Sequence, residues 1–203
     1  MDAAEYAAAS RFLGRLWSAV LPTYRLPEEG QEVVHIPAAF EVASLHGMPL
    51  PLAGQRSTEQ TVALVDEAGF HREVANDAIV TAYQERPRTR VYEGMDVRSD
   101  GWYSVAAIQL ARLARCRVVC SMYESDSGDR NLGAHEDEWL GEIVQMRGAK
   151  SWTLWPRAGG DPREVLTQAG DVLLLPRGIE HAVSTPDYSV HLVFAFVTGE
   201  PIR

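Results

Sequence analysis

Apolar residues near the N-terminus recur four apart: Phe12, Leu16 and Val20 form one stripe, and Leu13, Trp17 and Leu21 a second beside it. That period matches the turn of a helix and predicts one over residues 1–21, ended by Pro22. From 27 to 56 the apolar pieces are broken by prolines and glycines, leaving at most one short strand at 32–36. Ser57, Thr58, Glu59 and Gln60 have the form of a capping box, which predicts a short helix closed by Gly69. Residues 76–85 predict a weaker helix, and the charged run 86–99 an exposed irregular segment. A further helix is predicted over 102–115, with Val105, Ile108 and Leu113 among its apolar positions.

Beyond residue 115 the pattern changes. The runs 117–123, 142–147, 151–155, 171–175 and 188–197 are short and rich in β-branched or aromatic residues, with Gly, Pro, Asp and Ser between them. These are the marks of antiparallel strands joined by turns. A helical first half before a many-stranded second half predicts a mainly β protein, a sandwich or jelly roll with helices packed outside. The expected organisation is a helical N-terminal region, 1–101, packed on a core of 102–203 as one structural unit.

Composition narrows the function classes. At 203 residues the chain fits one domain, and 46% hydrophobic content suits a packed core. No apolar run reaches the roughly 18 residues of a membrane span. The acidic opening MDAAEYAAAS is unlike an export signal, so a cytoplasmic protein is expected. Cys116 and Cys120 are too few for a disulfide framework and read as reduced thiols. A net charge of −9 argues against a nucleic-acid partner. The expected partner is a small molecule, peptide or protein; the sequence does not indicate an oligomeric state.

The candidate chemistry lies in AHEDEWLGEIVQMRGAK, residues 134–150. On a strand, His135 and Asp137 would share a face, able to offer one imidazole and one carboxylate to a metal. Alone the pattern is weak, since His71-Arg72-Glu73 matches it as well. A second stretch strengthens it. GDVLLLPRGIEH, residues 170–181, reads as a strand and a Pro-Arg-Gly turn that delivers His181 to the start of the next strand. Two histidines and one carboxylate form a facial triad with three positions open, suited to Fe(II) and oxygen, whereas a structural zinc site is closed.

Lys150 is the one lysine in a chain with 18 arginines. A compact ammonium fits where a broad guanidinium does not, so its place beside the metal pattern suggests a cation retained for its shape. It could pair with a carboxylate projecting from a metal-bound co-substrate. Trp139, Trp152 and Trp155 read as core or pocket wall, and Gln145 as a core amide or an orienter of a ligand. His35, His46 and His71 read as surface or core polar groups, and Arg147 and Arg177 as surface charges ahead of contacts to an acidic substrate.

His-Glu-Asp followed by Gln145, Gly148, Lys150 and Trp152, then GDVLLLPRGIEH and SVHL, resembles the JmjC-type cupin oxygenases, nearest the ribosomal oxygenase branch. The resemblance covers about residues 102–197. It implies a double-stranded β-helix that binds Fe(II), 2-oxoglutarate and O2 and hydroxylates an unactivated C–H bond. His135, Asp137 and His181 fall on the iron ligands, and Lys150 on the lysine that holds the far carboxylate of 2-oxoglutarate. Tyr123 and Ser121 fall on a strand near the co-substrate, and Ser189 and His191 on one that closes the same pocket. Leu140 stands where the family often has a second aspartate, and Ser121 where it usually has asparagine. The ribosomal enzymes carry further regions after the cupin, so an amino acid, a peptide or a biosynthetic intermediate is the expected substrate ahead of a ribosomal protein. The alternatives are a metal cupin without 2-oxoglutarate, such as an isomerase or dioxygenase, and a small-molecule-binding cupin without catalysis.

Overall fold

The structure is a computed structural model, described over residues 3–23, 32–52, 61–97, 101–156 and 160–197. Two antiparallel sheets face each other and share one long strand. The larger has the order β1(Val34–Ile36), β8(Val172–Leu175), β6(Leu140–Trp155), β10(Tyr188–Val197), β5(Arg117–Asp126), β4(Thr89–Tyr92), β2(Val62–Asp66), β3(Gly69–Glu73). The smaller is built on the second half of β6, which pairs with β7(Arg163–Gln168) on one side and β9(Glu180–Ser184) on the other.

Gly148 lets β6 serve both sheets. Its φ is +62°, and a Cβ there would lie 1.8 Å from the Tyr188 carbonyl oxygen, so only glycine allows the turn and the close approach. Before it, Gly141 to Val144 pair with β8 and Leu140 to Gly148 with β10. After it, Ala149 to Leu154 pair with β7. The two strands expected at 142–147 and 151–155 are therefore one bent strand, with Lys150 just past the bend.

The helices α1(Ala3–Val20), α2(Val42–His46), α3(Asn76–Glu85) and α4(Trp102–Ala114) accompany the sheets, with a 3-10 turn at Met95–Val97. The main core lies where α1 and α4 cover the large sheet. Phe12, 2% exposed, stacks on Phe40 at 5.0 Å and meets Trp102 at 4.7 Å and Phe194 at 5.9 Å. Its neighbours Leu16 and Val20 are fully buried, as the stripe of the sequence requires. On α4 the buried face is Trp102, Val105, Ala106 and Leu110, while Ile108 and Leu113 point outward at 44% and 56% exposure.

Several expectations give way. Where a helix closed by Gly69 was predicted, residues 62–73 form the hairpin β2–β3; the capping-box residues 57–60 lie outside the described residues. All five residues of β2 are buried, so the strand lacks the alternation that marks a half-exposed one. Asp66 Oδ1 accepts from Ala68 N at 2.9 Å and Gly69 takes φ +106°, closing the two-residue turn. Residues 89–92 form β4 inside the sheet rather than an exposed irregular stretch. Its charge is masked because Arg90 bonds Asp126 at 2.8 Å and lies 4.3 Å over the Tyr83 ring. The short α2 and strand β7 had no counterpart in the sequence reading.

Candidate metal centre

His135 and Asp137 lie in the segment between β5 and β6, not on a regular strand as expected. His135 is nevertheless held in extended register. Its N–H donates to the His181 carbonyl at 3.0 Å, and His181 N–H returns the bond at 2.8 Å. Asp137 is anchored through its carbonyl, which accepts from Gly178 N at 2.8 Å. The turn before β9 thus braces both ends of the His-Glu-Asp run and delivers His181 opposite it.

One donor atom each from His135, Asp137 and His181 lie within 4.8 Å of one another, with His181 Nε2 3.7 Å from Asp137 Oδ2. Bonds of about 2.0–2.2 Å to one cation are within small side-chain adjustments of that spacing. The rings are already oriented. His135 Nδ1 donates to the Gly133 carbonyl at 3.0 Å, and His181 Nδ1 to the Ile179 carbonyl at 2.9 Å. A carbonyl only accepts, so each proton sits on Nδ1 and each Nε2 lone pair is free for a metal. Burial pushes Asp137 up to about 6, against the lowering effect of His135, and pushes His181 down to about 4. Both shifts express the cost of burying charge; a bound cation would draw the Asp137 carboxyl back to its ionised form and favour neutral His181 further.

Lys150 is 1% exposed, and its Nζ donates to Ser125 Oγ at 3.0 Å and Thr185 Oγ1 at 2.7 Å. Among the described residues no carboxylate forms an ion pair with it. Burial lowers it to about 8, with Asp129 opposing from a distance. A buried ammonium held by two hydroxyls and facing a cavity is a fitted place for an incoming carboxylate.

The cavity, of about 240 Å³, joins Lys150 to the triad. Its walls are largely apolar: Val65, Leu132, Trp139, Ile143, Leu175 and Val193. Tyr123 and His191 line it as a stacked pair, ring centres 5.0 Å apart and 4° from parallel. Burial lowers His191 and raises Tyr123, so both are neutral. Ser189 is buried behind the wall, where it accepts from Gln145 Nε2 at 2.9 Å. Ser121 does not reach this cavity and lines a neighbouring one.

Gln145 is a fully buried core amide. Its Oε1 accepts from Thr167 Oγ1 at 3.1 Å, and that hydroxyl in turn accepts from Trp152 Nε1 at 3.0 Å. Trp152 packs 6.1 Å from the His181 ring and 5.7 Å from His191, so this chain of bonds holds the wall beside both. Trp139 also lines the cavity. His35 and His71 bond Asp171 and Glu73, each at 2.9 Å, away from the site.

Ser125 and Thr185 were not read from the sequence. Ser125 stands two after Tyr123 on β5 and so shares its face, a signal that alternation carries. Thr185 follows the end of β9 and has no such signal.

Comparison with known proteins agrees with this geometry. "Ribosomal oxygenase 2" of Mus musculus is 29% identical over 96 residues, 38% of this chain and 21% of its own length. "Bifunctional lysine-specific demethylase and histidyl-hydroxylase NO66" of Dictyostelium discoideum is 28% identical over 131 residues, 54% of this chain and 25% of its own. Among solved structures, the ribosomal oxygenase YcfD of Escherichia coli in complex with cobalt and 2-oxoglutarate superposes with a TM-score of 0.64. It is 15% identical, over 91% of this chain and 52% of that one, a likeness of fold. The chain thus spans about a quarter of those curated relatives and half of that structure. The family model of the JmjC domain matches residues 90–200, more than half of the sequence, including His135, Asp137, His181 and Lys150, and on that match the chain belongs to the JmjC-domain family.

Proposed function

We propose that the protein is an Fe(II)- and 2-oxoglutarate-dependent oxygenase that hydroxylates a C–H bond, and that its substrate is a residue of a peptide or protein. The observation that carries the reading is Lys150, a buried cation whose side-chain partners among the described residues are hydroxyls, lining the cavity that holds two histidines and an aspartate. A non-2-oxoglutarate cupin leaves that ammonium without purpose. The names of the relatives, ribosomal oxygenase and histidyl-hydroxylase, support a polypeptide substrate, where the sequence left an amino acid, a peptide and a biosynthetic intermediate open. Two free cysteines support a reducing compartment such as the cytoplasm.

His135, Asp137 and His181 would hold the iron, which when bound activates oxygen at the expense of the co-substrate. The rest is the work of the chain. Nδ1 bonds fix the orientation of both imidazoles, and the Asp137 carboxylate would offset part of the metal charge. Lys150 pairs with the far carboxylate of 2-oxoglutarate, with Ser125 and Thr185 fixing its Nζ. Thr89 Oγ1, 3.0 Å from Ser125 Oγ, steadies that hydroxyl. The apolar walls and the Tyr123–His191 stack exclude water, so that the reactive centre meets only the C–H presented to it.

Anaerobic addition of 2-oxoglutarate to the Fe(II)-loaded protein should develop the visible charge-transfer absorption of a chelated keto acid. Succinate release should then rise with a peptide substrate. A flat spectrum at millimolar 2-oxoglutarate, with Fe(II) bound, would refute the assignment.

A further inference from the structure

Tyr123, Trp139 and Val193 line the metal cavity and also a second chamber, of about 180 Å³, completed by Val119, Ser121, Ala195 and Val197. The two strands that carry it pair in register there, Val193 with Ser121 and Ala195 with Val119. Residues 119, 121, 123 and 125 alternate onto one face of β5, so the chamber continues the inward sheet face past the metal site. Ser125, which holds Lys150, marks one end of that row and Val119 the other. Six steps along an extended strand separate them, roughly 20 Å. Co-substrate stretched from Lys150 to the triad would fill the first end and leave the second open.

Among the described residues, none that lines the second chamber is charged. Across both chambers the described lining contains one carboxylate, Asp137, and one cation, Lys150. The reading above, on which this inference rests, commits both to metal and co-substrate. An ammonium or guanidinium entering the chamber would exchange part of its water for apolar wall and find no anion among the described residues in return. Trp139, two residues after Asp137, stands on the boundary between the chambers and would touch any group passing from one to the other. We propose that the chamber of Val119, Ser121, Ala195 and Val197 is the subsite for the group to be oxidised, and that it accepts a neutral, apolar side chain and rejects a cationic one.

The test uses the Mn(II)-substituted protein with 2-oxoglutarate, which binds without turnover. The probes are four capped amino acids, the N-acetyl amides of leucine, phenylalanine, lysine and arginine, whose backbones are alike and whose side chains differ in charge. Proton relaxation of each probe by Mn(II) reports its approach to the metal. Leucine and phenylalanine side chains should relax at least roughly tenfold faster than those of lysine and arginine, the discrimination expected when a charge is left unpaired. Ala195→Trp should abolish the enhancement by filling the chamber, with 2-oxoglutarate titration as the control that the protein is folded. Ser121→Asp supplies the missing carboxylate and should reverse the preference toward arginine and lysine. Equal relaxation by all four probes overturns the subsite, as does enhancement that survives Ala195→Trp or no enhancement by any probe while 2-oxoglutarate binds. Failure of 2-oxoglutarate itself to bind would instead overturn the oxygenase reading, and the subsite with it.

Discussion

His135 and His181 are joined twice over: their backbones exchange hydrogen bonds of 3.0 and 2.8 Å, and their rings lie 4.3 Å apart. The backbone pair positions two donors from segments more than forty residues apart in sequence before any metal arrives. Asp137 completes the set, so Asp137→Ala should lower Mn(II) affinity by at least about 100-fold, beyond the 10- to 100-fold typical of losing an outer partner. The fold should survive, since the bracing bonds use backbone atoms. Titration followed by electron paramagnetic resonance reads the affinity, and parent-like binding would remove Asp137 from the site.

Lys150→Ala should weaken 2-oxoglutarate binding to the Mn(II) protein by roughly two to three orders of magnitude. Breaking a buried charge pair costs about 3–5 kcal/mol, and about 1.4 kcal/mol is a factor of ten. Lys150→Arg should fail too, because the slot between Ser125 and Thr185 is built for a compact ammonium. Metal affinity should hardly move. An unchanged Kd in the alanine variant, measured by calorimetry, would take the lysine out of the co-substrate site.

The same group sets a pH dependence. Burial lowers Lys150 to about 8, and its protonated form is the one that binds a carboxylate. Affinity for 2-oxoglutarate should therefore be full below pH 8 and fall as the pH rises through it, by up to about tenfold per unit. Calorimetry at pH 7 and pH 9 should show the loss in the parent and none in Lys150→Ala. Parallel pH curves in the two proteins would contradict the assignment.

Glu142 lies on β6 between Leu174 and Phe194, fully buried, and neither of its carboxyl oxygens has a hydrogen-bond partner among the described residues. Burial pushes it from 4.5 up to about 8, so the folded chain keeps a proton that the unfolded chain has lost. Its stabilising contribution is complete below the unfolded value and is lost as the pH rises toward 8. Between pH 6 and 8 the loss should be about 2 kcal/mol. Glu142→Gln removes the titration, so its stability measured in urea should exceed that of the parent increasingly up to pH 8. A constant difference between the two would mean that Glu142 does not titrate there.

Phe12 joins α1 to the sheet through Phe40, Trp102 and Phe194. Phe12→Ala should cost about 3–5 kcal/mol, the usual range for a buried phenylalanine. A denaturation midpoint equal to that of the parent would show that α1 contributes little to the core.

Local pattern was enough for the N-terminal helix, for most strands after residue 115 and for naming candidate ligands. The helix follows from Phe12, Leu16 and Val20 at one period, and the candidate ligands from the rarity of such a set beside a lone lysine. Both signals live within short windows of sequence. Tertiary structure decided the rest. Residues 62–66 became a strand because the sheet buried both their faces, which removes the alternation a window can detect. Residues 89–92 became one because Glu124 and Asp126, distant in sequence, pair with Arg90, whose guanidinium also lies over the Tyr83 ring. His135 and Asp137 come together on a braced loop, not a strand, because their register is set by His181 and Gly178 across the barrel. Thr185 reaches Lys150 only because Gly148 bends β6 into the second sheet. Local propensity can be read residue by residue, whereas pairing energies belong to partners that only the folded chain brings together.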